Sequence, residues 1–144
     1  MEISNIDAKA IVQDLLDRSG NALIQGDFTA FEQCISLPKK VETPEGTQTL
    51  KTSAELRAVF ERNRRFLNES NVTDLIRSCL EAESRDDGTI LSSHETRMVN
   101  GAVQTYHPYP CFMVLKNASG VWKISGSVHD IVDNPRLSAA LRQD

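Results

Sequence analysis

Three polar side chains lie in strand-like stretches of the sequence and could meet in one apolar pocket: His94, Tyr109 and Asp130. A carboxylate beside an imidazole can fix the tautomer of the ring and raise its basicity, and an apolar pocket raises the pKa of a carboxylic acid. A tyrosine hydroxyl can donate a hydrogen bond to a developing oxyanion. Because this combination suits proton abstraction next to a carbonyl, we predict that these residues are catalytic, with His94 or Asp130 as the base and Tyr109 as the donor.

The prediction that these residues share one face rests on the alternation of side chains along a strand. In the last strand-like stretch, the even-numbered residues from Trp122 to Asp130 are more apolar than the odd-numbered ones, and we expect them to point inward. A bulge near Pro108, Pro110 or Gly126 would reverse part of this assignment. The other inward-facing sets are predicted to be Ile76, Ser78 and Leu80; Ile90, Ser92, His94, Thr96 and Met98; and His107, Tyr109, Cys111, Met113 and Leu115.

The predicted inward face also indicates which residues would line a ligand pocket. It is mostly apolar with a few polar groups, which is typical of sites for small molecules. We therefore expect a small, mostly apolar ligand bearing a carbonyl or hydroxyl group. The predicted ligand-binding residues are Ser78, Met98, His107, Met113, Trp122 and Val128.

Other roles for these residues compete with catalysis. A histidine on a sheet face is usually a hydrogen-bonded core or rim residue, and an aspartate at a strand end usually caps a turn. The three histidines lack the HxH or HExxH spacing of a metal site, so no metal ion is expected. Without a Gly-x-Ser-x-Gly elbow or a glycine-rich phosphate loop, we expect neither a nucleophilic serine nor a cofactor.

Length and composition indicate an ordinary globular protein with one domain spanning residues 1–144. The net charge of −4 argues against a nucleic-acid partner. The first residues lack the features of a signal peptide, and no apolar run approaches the roughly 18 residues that cross a bilayer. We therefore expect a cytoplasmic protein with no membrane partner. Three cysteines without a CxxC motif are expected to be reduced thiols.

Two long hairpins are predicted to supply the strands that position the candidate residues. The first joins residues 72–84 to residues 89–100 through the turn at Asp86-Asp87-Gly88. The second lies within Gln104 to Asp133 and turns at Asn117-Ala118-Ser119-Gly120. Because a hairpin of this length needs further strands or helices on one face, we expect a four-stranded antiparallel meander covered by helices.

The first half of the chain is predicted to supply those helices. A long amphipathic helix begins near Ser4 and ends at Gly26, and a capped helix begins at Thr52. A small edge hairpin turns at Pro44-Glu45-Gly46 between them, and a short final helix begins at Asn134-Pro135. Helices segregated to one face of a twisted antiparallel sheet predict an α+β domain shaped as an open cone.

Three short motifs resemble the NTF2-like superfamily, in particular its SnoaL-like polyketide-cyclase and ketosteroid-isomerase-like branch. They are the opening helix end, residues 22–28; the Pro44-Glu45-Gly46 hairpin before a capped helix; and Gly120-Val121-Trp122-Lys123-Ile124. The resemblance implies N-terminal helices packed on a curved, mostly antiparallel sheet, a pocket between them, and frequent dimerisation through the outer sheet face. Members of the superfamily include isomerases, dehydratases and cyclases as well as proteins of no assigned activity.

Two functions remain open on these observations. The first is a pocket for a small molecule with cofactor-free isomerase, dehydratase or cyclase chemistry. The second is a non-catalytic dimeric module for ligand binding or assembly. The predicted outer face carries many apolar side chains, which favours a homodimer in both cases. The predicted outer residues are Leu75, Cys79, Leu91, Val99, Phe112, Val114 and Val121.

Overall fold

The computed structural model describes residues 3–131 and 134–141, in which four helices pack on a curled seven-stranded sheet. The helices are α1 (Asn5–Gln25), α2 (Phe28–Gln33), α3 (Ser53–Glu69) and α4 (Pro135–Ala140). The strands are β1 (Ile35–Thr43), β2 (Gly46–Leu50), β3 (Asp74–Ser84), β4 (Thr89–Asn100), β5 (Val103–Gln104), β6 (Tyr109–Ala118) and β7 (Val121–His129). The predicted meander forms within the strand order β2-β1-β7-β6-β4-β3, and β5 pairs with β4. The pairing of β1 with β7 is parallel, while the other pairs are antiparallel, so the α+β prediction is confirmed.

Side-chain caps set the beginnings of the main helices where the sequence predicted them. The Ser4 hydroxyl accepts a hydrogen bond from the Asp7 backbone N–H at 3.1 Å. Thr52 and Glu55 form a reciprocal capping box at α3. The Asn134 side chain accepts from the Leu137 N–H at 3.2 Å and begins α4. These bonds satisfy backbone donors that a helix start otherwise leaves without a partner.

An aromatic cluster joins the helices to one another above the sheet. Phe60 of α3 is 1% exposed and contacts the rings of Phe28 and Phe31, with centroids 5.3 and 5.0 Å away. Leu15 and Leu16 of α1 are buried in the same hydrophobic core. The resulting layer of apolar side chains closes one side of the space between helices and sheet.

A bulge in β7 reverses the inward face that the sequence predicted for its second half. Ile124 lies opposite Leu115, but Gly126 lies opposite Val114, so Ser125 is an extra residue in the ladder. Up to Ile124, the even-numbered residues do face the core. Beyond the bulge, the odd-numbered Ser127 and His129 face inward, opposite Met113 and Cys111. The predicted inward positions of Val128 and Asp130 are therefore wrong.

In β3, too, the inward and outward faces are the reverse of those that the sequence predicted. Arg77 pairs with Thr96 and Cys79 pairs with His94, so these side chains share the inner face with buried partners on β4. Ser78 and its alternate neighbours lie outside; Ile76 is 47% exposed and Leu80 53% exposed. The apolar residues of this strand misled the prediction because the inner face carries an arginine. Cys79 and Leu75, predicted to lie outside, belong to the inner face.

At the free edge of β3, one side chain forms the hydrogen bonds that a neighbouring strand would otherwise form. The Gln13 side-chain amide donates to the Arg77 carbonyl at 2.8 Å and accepts from the Cys79 N–H at 2.8 Å. An edge strand presents such unpaired backbone groups to other chains unless something occupies them. Gln13 of α1 therefore fixes the helix against the sheet and protects its edge.

Replacing Gln13 with Ala should lower the free energy of unfolding by about 1–3 kcal/mol, because two backbone groups of β3 lose their partner. Urea denaturation measures the loss, and amide hydrogen exchange at Cys79 localises it. The matched control is Gln33→Ala, which removes an exposed glutamine from α2 and should change stability by less than about 0.5 kcal/mol. Unchanged exchange at Cys79 in the Gln13 variant would contradict this role.

Candidate functional site

A small interior cavity of about 60 Å³ lies between the helices and the inner face of the sheet. Its wall is largely apolar and includes Phe60 and Ile124. Polar groups reach it from several strands of the sheet and from α1 and α3. They are Ser19, Lys39, Asn63, Arg77, His94, Ser127 and His129.

Arg77 is the polar group of this cavity that is most firmly held in place. Its Nη2 donates to the Leu16 carbonyl at 2.6 Å and to the Ser19 hydroxyl, both on α1. Its Nε is buried and has no hydrogen-bond partner. A Cβ on Gly20 would lie 3.3 Å from Nη2, so the absence of a side chain there makes room for the guanidinium. The glycine within α1 is thereby explained, although glycine costs a helix about 1 kcal/mol relative to alanine.

Two histidines in the cavity are held in the neutral state. His94 is 1% exposed, and burial, reinforced by Arg77, lowers its pKa to about 3. Its Nδ1 is buried without a partner. His129 shares hydrogen bonds with Ser127 Oγ at 3.1 Å and Cys111 Sγ at 3.5 Å. Burial, followed by the charge of Lys39, lowers the pKa of His129 to about 3. Both rings can therefore accept and donate hydrogen bonds without carrying a charge.

Lys39 adds a second positive charge to the cavity. Burial, and then repulsion by Arg77, lowers its pKa to about 8. None of the described residues that line the cavity is an aspartate or a glutamate. The interior therefore carries positive charge that no lining carboxylate neutralises, which is an arrangement suited to an anion.

The three predicted catalytic residues are divided between two places in the structure. His94 lines the cavity, whereas Asp130 lines a separate cleft of about 320 Å³ at the ends of the strands. Tyr109 and His107 line the same cleft as Asp130. Tyr109 is buried opposite Thr96, and burial raises the pKa of its hydroxyl. The predicted pairing of Asp130 with His94 is thus corrected, because the β7 bulge turns Asp130 away from the interior.

The predicted ligand-binding residues are likewise divided. Met113 lines the cavity, and Met98 is buried on the same face of the sheet. Trp122 is half-buried against the core, near the turn between β3 and β4. Ser78 and Val128 lie on the outer face for the reasons of register given above.

The sequence did not reveal Lys39, Arg77, Ser127 or His129 as cavity residues. Lys39 lies in a stretch that was predicted to be an edge hairpin, but β1 pairs with β7 inside the sheet. Arg77 was missed because the apolar residues Ile76 and Leu80 led the prediction to assign the opposite face of β3 to the core. Ser127 and His129 could have been identified from the possible bulge at Gly126, because a bulge there turns the odd-numbered residues inward.

The cone of helices and curled sheet is the NTF2-like fold, also described as cystatin-like. Solved structures that superimpose on the chain share this architecture at low sequence identity. The resemblance found in the sequence is therefore confirmed at the level of the fold.

Three solved structures illustrate the similarity. A protein of unknown function with a cystatin-like fold from Nostoc punctiforme has a TM-score of 0.69 and 14% identity, covering 93% of this chain and 97% of its own. Aln2 from a Streptomyces species has a TM-score of 0.69 and 15% identity, with coverages of 89% and 93%. An NTF2-like protein of unknown function from Shewanella oneidensis has a TM-score of 0.66 and 12% identity, with coverages of 85% and 98%. No family model and no curated protein matches the sequence.

Among the described residues, no helix combines the length and the apolar character needed to cross a bilayer.

Acid should destabilise the protein through His94. The pKa of a histidine is about 6.5 in the unfolded chain, whereas burial lowers the pKa of His94 to about 3 in the folded protein. Between these values the unfolded chain binds more protons, so the free energy of unfolding decreases as the pH falls, by up to about 1.4 kcal/mol per unit. Below pH 3 this contribution stops changing.

His94→Asn should therefore flatten the acid limb of a plot of unfolding free energy against pH, measured by urea denaturation. His107→Asn, which removes an exposed histidine, is the control for loss of an imidazole. Parallel curves for the wild type and the His94 variant between pH 6.5 and 3 would show that the buried ring is not the source of the slope.

Proposed function

We propose that the interior cavity binds a small molecule that has an apolar part and an anionic oxygen, such as a carboxylate. The observation that carries this proposal is the buried, unpartnered Nε of Arg77 beside the half-buried Lys39. A buried charge without a counter-charge is costly. A bound carboxylate would supply the counter-charge and could accept hydrogen bonds from the guanidinium.

The size of the cavity limits the ligand. An apolar cavity of about 150 Å³ is known to accommodate benzene, and the cavity here is less than half as large. A steroid or a polyketide is therefore too large for the cavity in this conformation. A molecule of a few heavy atoms, with its apolar part against Phe60 and Ile124, fits the dimensions and the lining.

We infer that any catalysis in this cavity is cofactor-free acid–base chemistry with the histidines in place of Asp130. His94 presents an unpartnered Nδ1, which can receive a proton from a carbon next to a carbonyl. A bound anion favours the protonated ring and so raises the pKa of His94 toward the working range of a general base. Arg77 and Lys39 would stabilise the negative charge of an enolate. Isomerisation, dehydration and cyclisation all use such a step.

Replacing Arg77 with Met should weaken the binding of small carboxylates at least tenfold, which corresponds to about 1.4 kcal/mol. Acetate, glyoxylate and pyruvate are suitable probes, with chloride at equal ionic strength as the reference. Chemical shifts of the His94 and His129 ring protons during titration report binding at the cavity.

The matched control is Arg97→Met, because Arg97 lies on the outer face in an ion pair with Glu95. This variant should bind the probes like the wild type. The Arg77→Met substitution removes a buried charge, so the first variant need not lose stability. Equal affinity of the wild type and both variants would overturn the proposal.

A homodimer formed through the outer sheet face is our second proposal, and it applies with or without catalysis. Across the outer face, Leu91 lies opposite Val114 and Phe112 lies opposite Val128. Phe112 is 48% exposed in the single chain. Apolar side chains that lie side by side across β4, β6 and β7 favour association of copies of the chain.

Phe112→Glu should shift the protein from dimer toward monomer, because it places a charge among these apolar side chains. Sedimentation velocity over a range of concentrations measures the shift. Val103→Glu introduces the same charge at a position that is 68% exposed on β5 and should leave the distribution unchanged. A wild-type protein that stays monomeric throughout the range would contradict the dimer.

A further inference from the structure

We propose that Lys39 is a nucleophile that condenses reversibly with a small aldehyde or 2-oxo acid to form an imine. Its side chain lines the interior cavity, and no ion pair joins it to a carboxylate in the described part of the chain. An amine serves as a nucleophile only when its lone pair is free of a proton. A lysine in an apolar cavity beside another cation meets this requirement more readily than a surface lysine does.

The surroundings of Lys39 supply both conditions. Val41 and Leu50 contribute apolar wall, and Arg77 contributes the second cation from β3. The other titratable groups facing the cavity, His94 from β4 and His129 from β7, are neutral. With a pKa of about 8, Lys39 is roughly half neutral at pH 8, whereas an ordinary lysine is neutral in less than about 1% of molecules.

The reaction balances without a further reactant. The lone pair of Lys39 Nζ attacks the carbonyl carbon and forms the C–N bond, and the electrons of the C=O π bond move to the oxygen. The oxygen takes up the two protons that the amine loses, the C–O bond breaks to release water, and an electron pair of the nitrogen completes the C=N bond. The neutral histidines of the cavity are available to relay these protons.

A 2-oxo acid would engage both cationic residues of the cavity. Its carbonyl would react with Lys39 while its carboxylate is held by the guanidinium of Arg77. This preference for an acid rests on the proposed function, whereas imine formation itself requires only entry of a carbonyl compound into the cavity. With about 60 Å³ available, the two-carbon acid glyoxylate and the uncharged acetaldehyde are matched probes.

The test is reductive trapping. The folded protein is incubated with each probe and sodium cyanoborohydride, and the adducts are mapped by mass spectrometry of peptides. Lys40 is the internal control, because it is the exposed neighbour on β1 and lies opposite Gly126. Peptide mapping also separates the chain's terminal amine, whose ordinary pKa of about 8 makes it a competing target.

We expect Lys39 to be modified at least tenfold faster than Lys40, with a rate that rises through a midpoint near pH 8. Lys40→Met should leave this adduct unchanged. Lys39→Met should abolish it, and Lys39→Arg, which keeps the positive charge, should abolish it as well. Equal rates at the two lysines, in a protein whose circular dichroism shows it to be folded, would overturn the inference.

Arg77→Met separates this inference from the proposed function. If it removes the preference for glyoxylate but not trapping by acetaldehyde, both proposals are supported. If Lys39 is trapped equally well by both probes and the variant changes nothing, the nucleophile stands and the anion site fails. If glyoxylate binds but neither probe is trapped at Lys39, the nucleophile fails and the anion site stands.

Discussion

The anchoring of Arg77 to α1 is the interaction on which the interior depends. The side chain of Arg77 extends from β3, and its guanidinium donates hydrogen bonds to the Leu16 carbonyl and the Ser19 hydroxyl of α1. One charged group therefore connects the helix to the sheet. A buried arginine retains its charge, since its ordinary pKa exceeds about 12. The cavity therefore forms around a permanent cation, and the states of Lys39, His94 and His129 respond to it.

Burial, reinforced by the charges of neighbouring cations, gives the cavity its chemical character. Each group whose charge can be removed by losing a proton has a lowered pKa, with burial as the main cause and neighbouring cations as the next. An interior of this kind costs stability unless something negative enters it. Two neutral imidazoles and a partly neutral amine beside a fixed cation form a set of potential proton acceptors, donors and nucleophiles within one small volume.

The sequence was sufficient for the fold because its signals were local and mutually consistent. The helix caps at Ser4 and Thr52 and the turns at Gly88 and Gly120 each fix one boundary of an element. The residues that face the interior could be predicted for some strands but not for others. On β4 strict alternation held, and His94 was placed correctly on the inner face; on β7 one extra residue at Ser125 reversed it.

The arginine of β3 illustrates a different limit of sequence reasoning. Hydrophobic patterning assigns the more apolar set of a strand to the core, and β3 places Ile76 and Leu80 outside instead. The burial of Arg77 is stabilised by atoms of α1 that are distant in the chain. The pattern of residues within a strand contains no information about such a distant partner. Arg77, which is central to the proposed chemistry, was therefore the hardest residue to identify.

Gln13, which covers the edge of β3, links the protection of the sheet edge to the position of α1. The same helix supplies the amide that occupies the edge of β3 and the oxygens that hold its arginine. If α1 lifted away, unpaired strand groups and an unanchored cation would be exposed at once, and exposed strand edges invite aggregation. The contacts that protect the sheet edge and the contacts that hold Arg77 are therefore made by the same helix, so losing one set would lose the other.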